Sequence, residues 1–216
     1  MKLYSAPLSM FGAKAEIAAR EKRVPFDLEF VPFSISTLYD PKHPEVGRIN
    51  PKQQVPVLVD EGLELFDSTQ IFEYLEDRMP NPPLWPNDAK DRARARQLEL
   101  KSDEVFFPSV VTLMPRQRAA ATDSQVADAI ASLHRYYDDM ERQLEGRDYL
   151  AGSFSYADIA FYMAQFFAAF LGQPWAPGHP RLDAWRARMV SRESVKSVAG
   201  KMAQYLRGLG VKPQEV

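Results

Sequence analysis

Asn50-Pro51-Lys52-Gln53-Gln54-Val55-Pro56-Val57-Leu58-Val59-Asp60-Glu61-Gly62-Leu63-Glu64-Leu65-Phe66-Asp67-Ser68-Thr69-Gln70 is the stretch that decides the fold. Two apolar runs, Val55 to Val59 and Leu63 to Phe66, are joined by Asp60-Glu61-Gly62, and this pattern predicts a β-hairpin. A helix follows at once. Ser68, Ile71, Phe72, Leu75 and Met79 recur at helical spacing on one face, and Met79-Pro80-Asn81-Pro82-Pro83 stops the run. A hairpin feeding straight into an amphipathic helix is half of a small α/β unit.

Toward the N-terminus, Lys2 to Ser5 reads as a short strand and Phe11 to Lys22 as a helix with a small face of Ala15, Ala18 and Ala19. Phe26 to Val31 reads as a second strand. The intervening helix supplies a crossover, so these two strands are expected to pair in parallel. The segment through Pro41, Pro44 and Pro51 reads as irregular. Residues 1–79 therefore form an α/β, thioredoxin-like domain, and residues 80–87 a linker.

Beyond the linker strand signals disappear, and residues 88–216 read as an all-α domain. Asp88 to about Gln117 is expected as one helical segment bent near Pro108, because proline removes a backbone donor. Val126, Ile130, Leu133, Tyr137, Met140 and Leu144 mark an amphipathic helix over Asp123 to Leu144. Ser155 to Leu171 reads as a buried helix, with Ser155 and Asp158 at capping-box positions. Asp183 to Val190 and Ser194 to Leu206 complete the helices, and Gly208 to Val216 reads as a loose tail.

The 216 residues are 45% hydrophobic and 26% charged, with a net charge of −2, as in a globular protein. No basic stripe points to nucleic acid. The chain has no cysteine, which removes any mechanism that needs a protein thiol or a thiolate-bound metal. His43, His134 and His179 are too scattered to suggest a metal site or a triad. The most apolar run, Ile159 to Leu171, is too short to span a bilayer, and the N-terminus lacks a signal-peptide core. The expectation is a cytoplasmic protein with no membrane partner.

Three positions carry potential chemistry. Pro56 interrupts a strand pattern: it is either an edge proline or a cis residue that turns the Val55 main chain toward an extended ligand. Asp67-Ser68 opens a helix and is either a cap or a receptor for a ligand's charged end. Ser9 lies between the first strand and the first helix, as a turn or cap serine or as a donor to a thiolate.

The order of these features resembles the cytosolic glutathione transferases. A serine turn is followed by Asn50-Pro51-x-x-Gln54-Val55-Pro56-Val57-Leu58, by Asp67-Ser68 and by Ser155-x-x-Asp158. The similarity runs from about Lys2 to Leu206. It implies that Val55, before a cis-Pro56, pairs with the cysteinyl unit of glutathione. By the same resemblance Asp67 and Ser68 hold the γ-glutamyl end, and Gln54, with Lys42 or His43, reaches the glycyl carboxylate. Ser9 matches the thiolate-stabilising hydroxyl of the serine-type classes, with Ser5 as its alternative. Met10, Phe11, Phe106, Val110 and Met114 are the pocket walls expected for a small hydrophobic electrophile. A homodimer without a metal is also implied. The chain departs from the pattern in having Asp67 for the usual glutamate and Gln53-Gln54 for the usual Gly-Lys, and its lack of cysteine excludes the cysteine-type classes.

Overall fold

The computed structural model describes residues 1–213. Its first half contains β1 (Lys2–Ser5), α1 (Met10–Glu21), β2 (Asp27–Phe30), α2 (Pro44–Ile49), β3 (Val57–Asp60), β4 (Leu63–Phe66) and α3 (Ser68–Arg78). The sheet order is β2-β1-β3-β4, with β1 parallel to β2 and antiparallel to β3, and β3 antiparallel to β4. Alternation along the strands sorts the side chains by face. Leu3 and Leu58 pack with Ala15, Ala19, Ile71 and Leu75 of α1 and α3. Tyr4 and Val57 pack on the other face with Ala6, Val31, Val46 and Val55.

The Pro-rich stretch is not wholly irregular, because Pro44 begins α2. A proline at the first helical position loses no bond, since that N–H has no intrahelical partner anyway.

The second half is helical, with no strand among the described residues. It comprises α4 (Ala89–Lys101), a π-helical stretch Ser102–Phe106, α5 (Phe107–Leu113), α6 (Pro115–Ala120), α7 (Asp123–Gln143), α8 (Tyr156–Phe170), α9 (Pro180–Val190) and α10 (Glu193–Gly208). The expected single bent segment is thus divided. Phe107 N–H bonds to Ser102 O, five residues back, just before Pro108. The wider turn ends where Pro108 has no N–H to donate. A second break at Met114 (ψ 145°) separates α5 from α6.

Helix α8 forms the centre of the helical core, buried from Tyr156 to Ala168. Its capping box is present: Ser155 N–H donates to Asp158 Oδ2 at 2.9 Å. The same carboxylate accepts from Leu150 N–H and Trp185 Nε1–H, each at 2.9 Å. One buried side chain therefore fixes three segments. Of the expected loose tail, Val211 donates to Leu206 O at 3.0 Å and packs on the helical core. Gln214, Glu215 and Val216 lie outside the described residues.

Candidate functional site

Strand register gathers the residues singled out in the sequence. Tyr4 pairs with Val57 and Val57 with Phe66. The segments continuing from those pairs are Ala6 to Ser9, Val55-Pro56 and Asp67-Ser68, and all three emerge at the same end of the sheet. Both α1 and α3 begin there, so two helix N-termini add positive potential to that end. The Val55–Pro56 peptide is cis, and both residues are buried.

Ser9 is the N-cap of α1, its Oγ accepting from Gly12 N–H at 3.1 Å. A hydroxyl that accepts one bond keeps its proton for another partner. Ser5 lies beside it: a Cβ on Gly12 would collide with Ser5 Oγ and come within 3.1 Å of Ser9 Oγ. A side chain at position 12 would force the Ser5 hydroxyl to move. Tyr4 packs on the opposite face of β1, as alternation requires. Sequence reading missed Tyr39, whose phenol meets the Ser9 side chain. Burial raises the phenol above its ordinary value, and Ser9 partly offsets this. Nothing in the spacing of a loop tyrosine announces such a contact.

The loop before Val55 is braced by Asn50. Its Nδ2 donates to Gln54 O at 2.6 Å, and its Oδ1 accepts from Lys52 N–H at 3.0 Å. Gln53 sits in the left-handed region (φ 54°), a position that favours glycine. The Gln54 side chain is exposed, as is Lys42, whose Nζ lies 5.9 Å from the Tyr39 ring. His43 Nε2 instead donates to Glu29 Oε1 at 2.9 Å, and the ring stacks obliquely on Tyr4.

Asp67 caps α3, accepting from Thr69 and Gln70 N–H at 3.0 and 3.2 Å. Its backbone (φ 77°, ψ 131°) is strained for a residue with a side chain, at a cost of roughly 1–3 kcal/mol. Ser68 is buried, and its carbonyl accepts from Tyr156 OH of α8 at 3.0 Å. Next to it lies a second feature the sequence did not disclose. Lys14, wholly buried on α1, bonds Glu99 at 2.8 Å and also Asp103. Glu99 in turn accepts from Thr69 Oγ1 at 2.7 Å. Burial works against the Lys14 charge, yet Tyr156, Asp103 and Glu99 together hold its pKa above the ordinary value. Asp103 is raised to about 6, first by burial and then by Glu99, with Lys14 opposing. This ion cluster bonds the start of α3 to the helical half.

The five residues expected as pocket walls all belong to the helical core cluster, with unequal exposure. Met10, Phe106 and Val110 are buried in the helical core, with Phe106 packed on Tyr136, Tyr137 and Phe161. Only Phe11 and Met114 retain partial exposure. A mostly apolar cavity of about 320 Å³ lies elsewhere, between α1, β2 and α10, and includes Ser5, Pro7, Phe30 and Tyr205.

Residues 3–83 match the family model for the glutathione S-transferase N-terminal domain, and residues 119–188 match that for the C-terminal domain. The chain belongs to the glutathione S-transferase family. Among relatives of this transferase-family chain is a stringent starvation protein A homolog from Coxiella burnetii, 37% identical over 112 residues. That match covers 51% of this chain and 50% of the relative, so the chain spans about half the length of that protein. Two solved structures are similar over nearly the whole chain. A ternary complex of BphK, a bacterial GST, superposes with a TM-score of 0.80 at 27% identity, covering 94% of this chain and 100% of that one. A sphingomonad glutathione S-transferase complexed with glutathione gives 0.78 at 26% identity, covering 94% and 99%. Among the described residues, no group of His, Asp and Glu side chains is placed to hold a metal ion, and no helix is long and apolar enough to cross a membrane.

Proposed function

We propose that this chain binds glutathione and presents its thiolate to a small hydrophobic electrophile, as a serine-type glutathione S-transferase. The observation that carries the reading is the convergence of Ser9, Val55-Pro56 and Asp67-Ser68 at one end of the sheet. Val55 lies just beyond the β3 ladder, where its main chain pairs with the cysteinyl unit in the manner of an added strand. The Ser68 hydroxyl and the α3 N-terminus receive the γ-glutamyl carboxylate, and Asp67 meets its ammonium. Gln54, in the loop before Val55, and Lys42, both exposed, take the glycyl carboxylate.

The chemical task is to favour thiolate over thiol near neutral pH. Each pKa unit of lowering corresponds to about 1.4 kcal/mol, and a hydrogen bond to a charged group contributes roughly 1.5–3 kcal/mol. The Ser9 proton, with the α1 N-terminus behind it, is sufficient. Calorimetric titration with glutathione, followed by conjugation assays on the same sample, tests the reading. Absence of glutathione binding would refute it. Isomerisation, dehalogenation or ether cleavage would use the same thiolate, and the panel of acceptors in that assay distinguishes them.

A second reading is a non-catalytic glutathione-binding scaffold. It is favoured by Ser9 and Asp67 both being engaged as helix caps. Glutathione binding without turnover on any acceptor would select it. We further infer a homodimer located in the cytoplasm. Leu63 and Phe66 on the edge strand, with Leu100 and Val105 beyond the Thr69–Glu99 bond, are large exposed hydrophobics that a second copy would cover.

A further inference from the structure

The cavity between α1, β2 and α10 has two chemically different ends. Pro7, Phe30, Met202 and Tyr205 give it apolar walls. Phe30 stands 44% exposed at its mouth, on the outermost strand. At one end is Ser5, which shares Gly12 with Ser9, so that end opens beside the hydroxyl assigned to the thiolate. At the other end are Glu16 and Lys201. The Glu16 carboxylate is held by Arg20 through Nε at 3.0 Å and Nη2 at 2.7 Å. Lys201, half exposed and 4.0 Å from the same carboxylate, is the surplus positive charge of that rim. Ser9 and Glu16 are seven residues apart on one helix, about 10 Å along its axis.

We propose that this cavity takes an apolar carboxylic acid, its carboxylate on Lys201 and its other end toward Ser5, and so makes apolar acids that bear an alkyl halide at that end the class of second substrate, the C–S bond forming as the carbon–halogen bond breaks and halide leaves. The acceptor role rests on the thiolate reading above, whereas the preference for an acid rests on the cavity alone. The occupant follows from shape and charge together. The walls exclude a strongly hydrated molecule, since burying polar groups without partners is costly. The Lys201 ammonium favours an anion at the far end. A neutral hydrocarbon would leave that charge unused, and a dianion would place its second charge against apolar walls.

The test is calorimetric titration of the full chain with 4-phenylbutanoate and with the matched neutral 4-phenylbutanamide, with glutathione titrated in parallel. The acid is expected to bind about fivefold to tenfold more tightly than the amide. Lys201→Gln should bring the acid down to the amide's affinity and leave the amide unchanged. Met202→Trp, which fills the cavity, should weaken both ligands while glutathione binding persists. Equal affinity for acid and amide in the native chain would overturn the proposal, as would undiminished acid preference in Lys201→Gln. Acid binding without any glutathione binding would remove the thiolate reading and leave the cavity assignment standing.

Discussion

The Lys14 ammonium of α1 lies 2.8 Å from Glu99 Oε1 of α4, with no solvent reaching the lysine. A thioredoxin-like half and a helical half thus share a buried charge cluster rather than an apolar contact alone. Removing one partner of such a cluster leaves the remaining charges without compensation, which costs about 3–5 kcal/mol. Lys14→Met should lose stability of that order in urea denaturation at neutral pH. A loss below about 1 kcal/mol would show that the interface repacks around the vacancy.

A second bridge between the halves carries its own pH dependence. Arg192 donates to Glu21 from Nε at 2.8 Å and Nη2 at 2.7 Å, and Ser194 Oγ joins them. Burial alone would raise the Glu21 carboxyl, but the bonds from Arg192 and Ser194 bring it below its ordinary value. A carboxyl that is more acidic when folded stabilises the protein above its unfolded pKa of about 4.3 and loses that contribution as pH falls through the folded value. Glu21→Gln should therefore cost about 1–3 kcal/mol at pH 7. Its melting temperature should converge with that of the native chain on acidification.

Ser9→Ala separates binding from activation. Loss of one charge-assisted hydrogen bond, roughly 1.5–3 kcal/mol, predicts a fall in conjugation rate of about 10- to 100-fold. Glutathione affinity, held by Val55, Asp67 and Ser68, should change little. The lost cap should also lower stability by about 1 kcal/mol. Unchanged kcat/KM would remove Ser9 from the mechanism.

Tyr39→Phe tests the partner of that serine. When Ser9 turns its proton to a thiolate, the Tyr39 phenol beside it is able to donate to Ser9 Oγ in return, which strengthens the bond Ser9 donates. Its removal should move the alkaline-rising limb of the pH–rate profile to higher pH, and should have no further effect in a Ser9→Ala background. An additive loss in the double variant would mean that Tyr39 acts on the sulfur independently.

Asp158→Ala should be among the most destabilising single changes. It orphans the buried N–H groups of Leu150 and Ser155 and the indole N–H of Trp185. Each unsatisfied donor costs about 1–3 kcal/mol. Chemical denaturation should show a loss above 3 kcal/mol, whereas Ser155→Ala should lose about 1 kcal/mol.

The sheet was legible because its signals are local and periodic. The Asp60-Glu61-Gly62 turn, the helical spacing from Ser68 and the crossover helix after Ser5 each specify a piece, and chirality leaves few ways to assemble them. The cradle at the strand ends follows, since register places Val55 and Asp67 once β1, β3 and β4 are paired. The burial of the expected pocket walls was not legible. Met10, Phe106 and Val110 are apolar whether they line a cavity or fill a core, and only three-dimensional packing separates the two. Lys14 was opaque for a related reason: a lone lysine on a helix reads as solvated, and its carboxylate partners are 85 and 89 residues away. The break in the α4 to α6 segment was half visible, with Pro108 flagging a disturbance but not the five-residue bonding that resolves it.

The shared charge cluster also limits how the two halves can be recombined. A chimera that grafts this helical half onto another thioredoxin-like half would bring Glu99 and Asp103 against a first helix chosen for a different neighbour. Unless position 14 of that helix carries a cation, two carboxylates would be sealed together without one. Exchange of acceptor specificity by swapping helical halves therefore requires the lysine and both acids to travel as a unit.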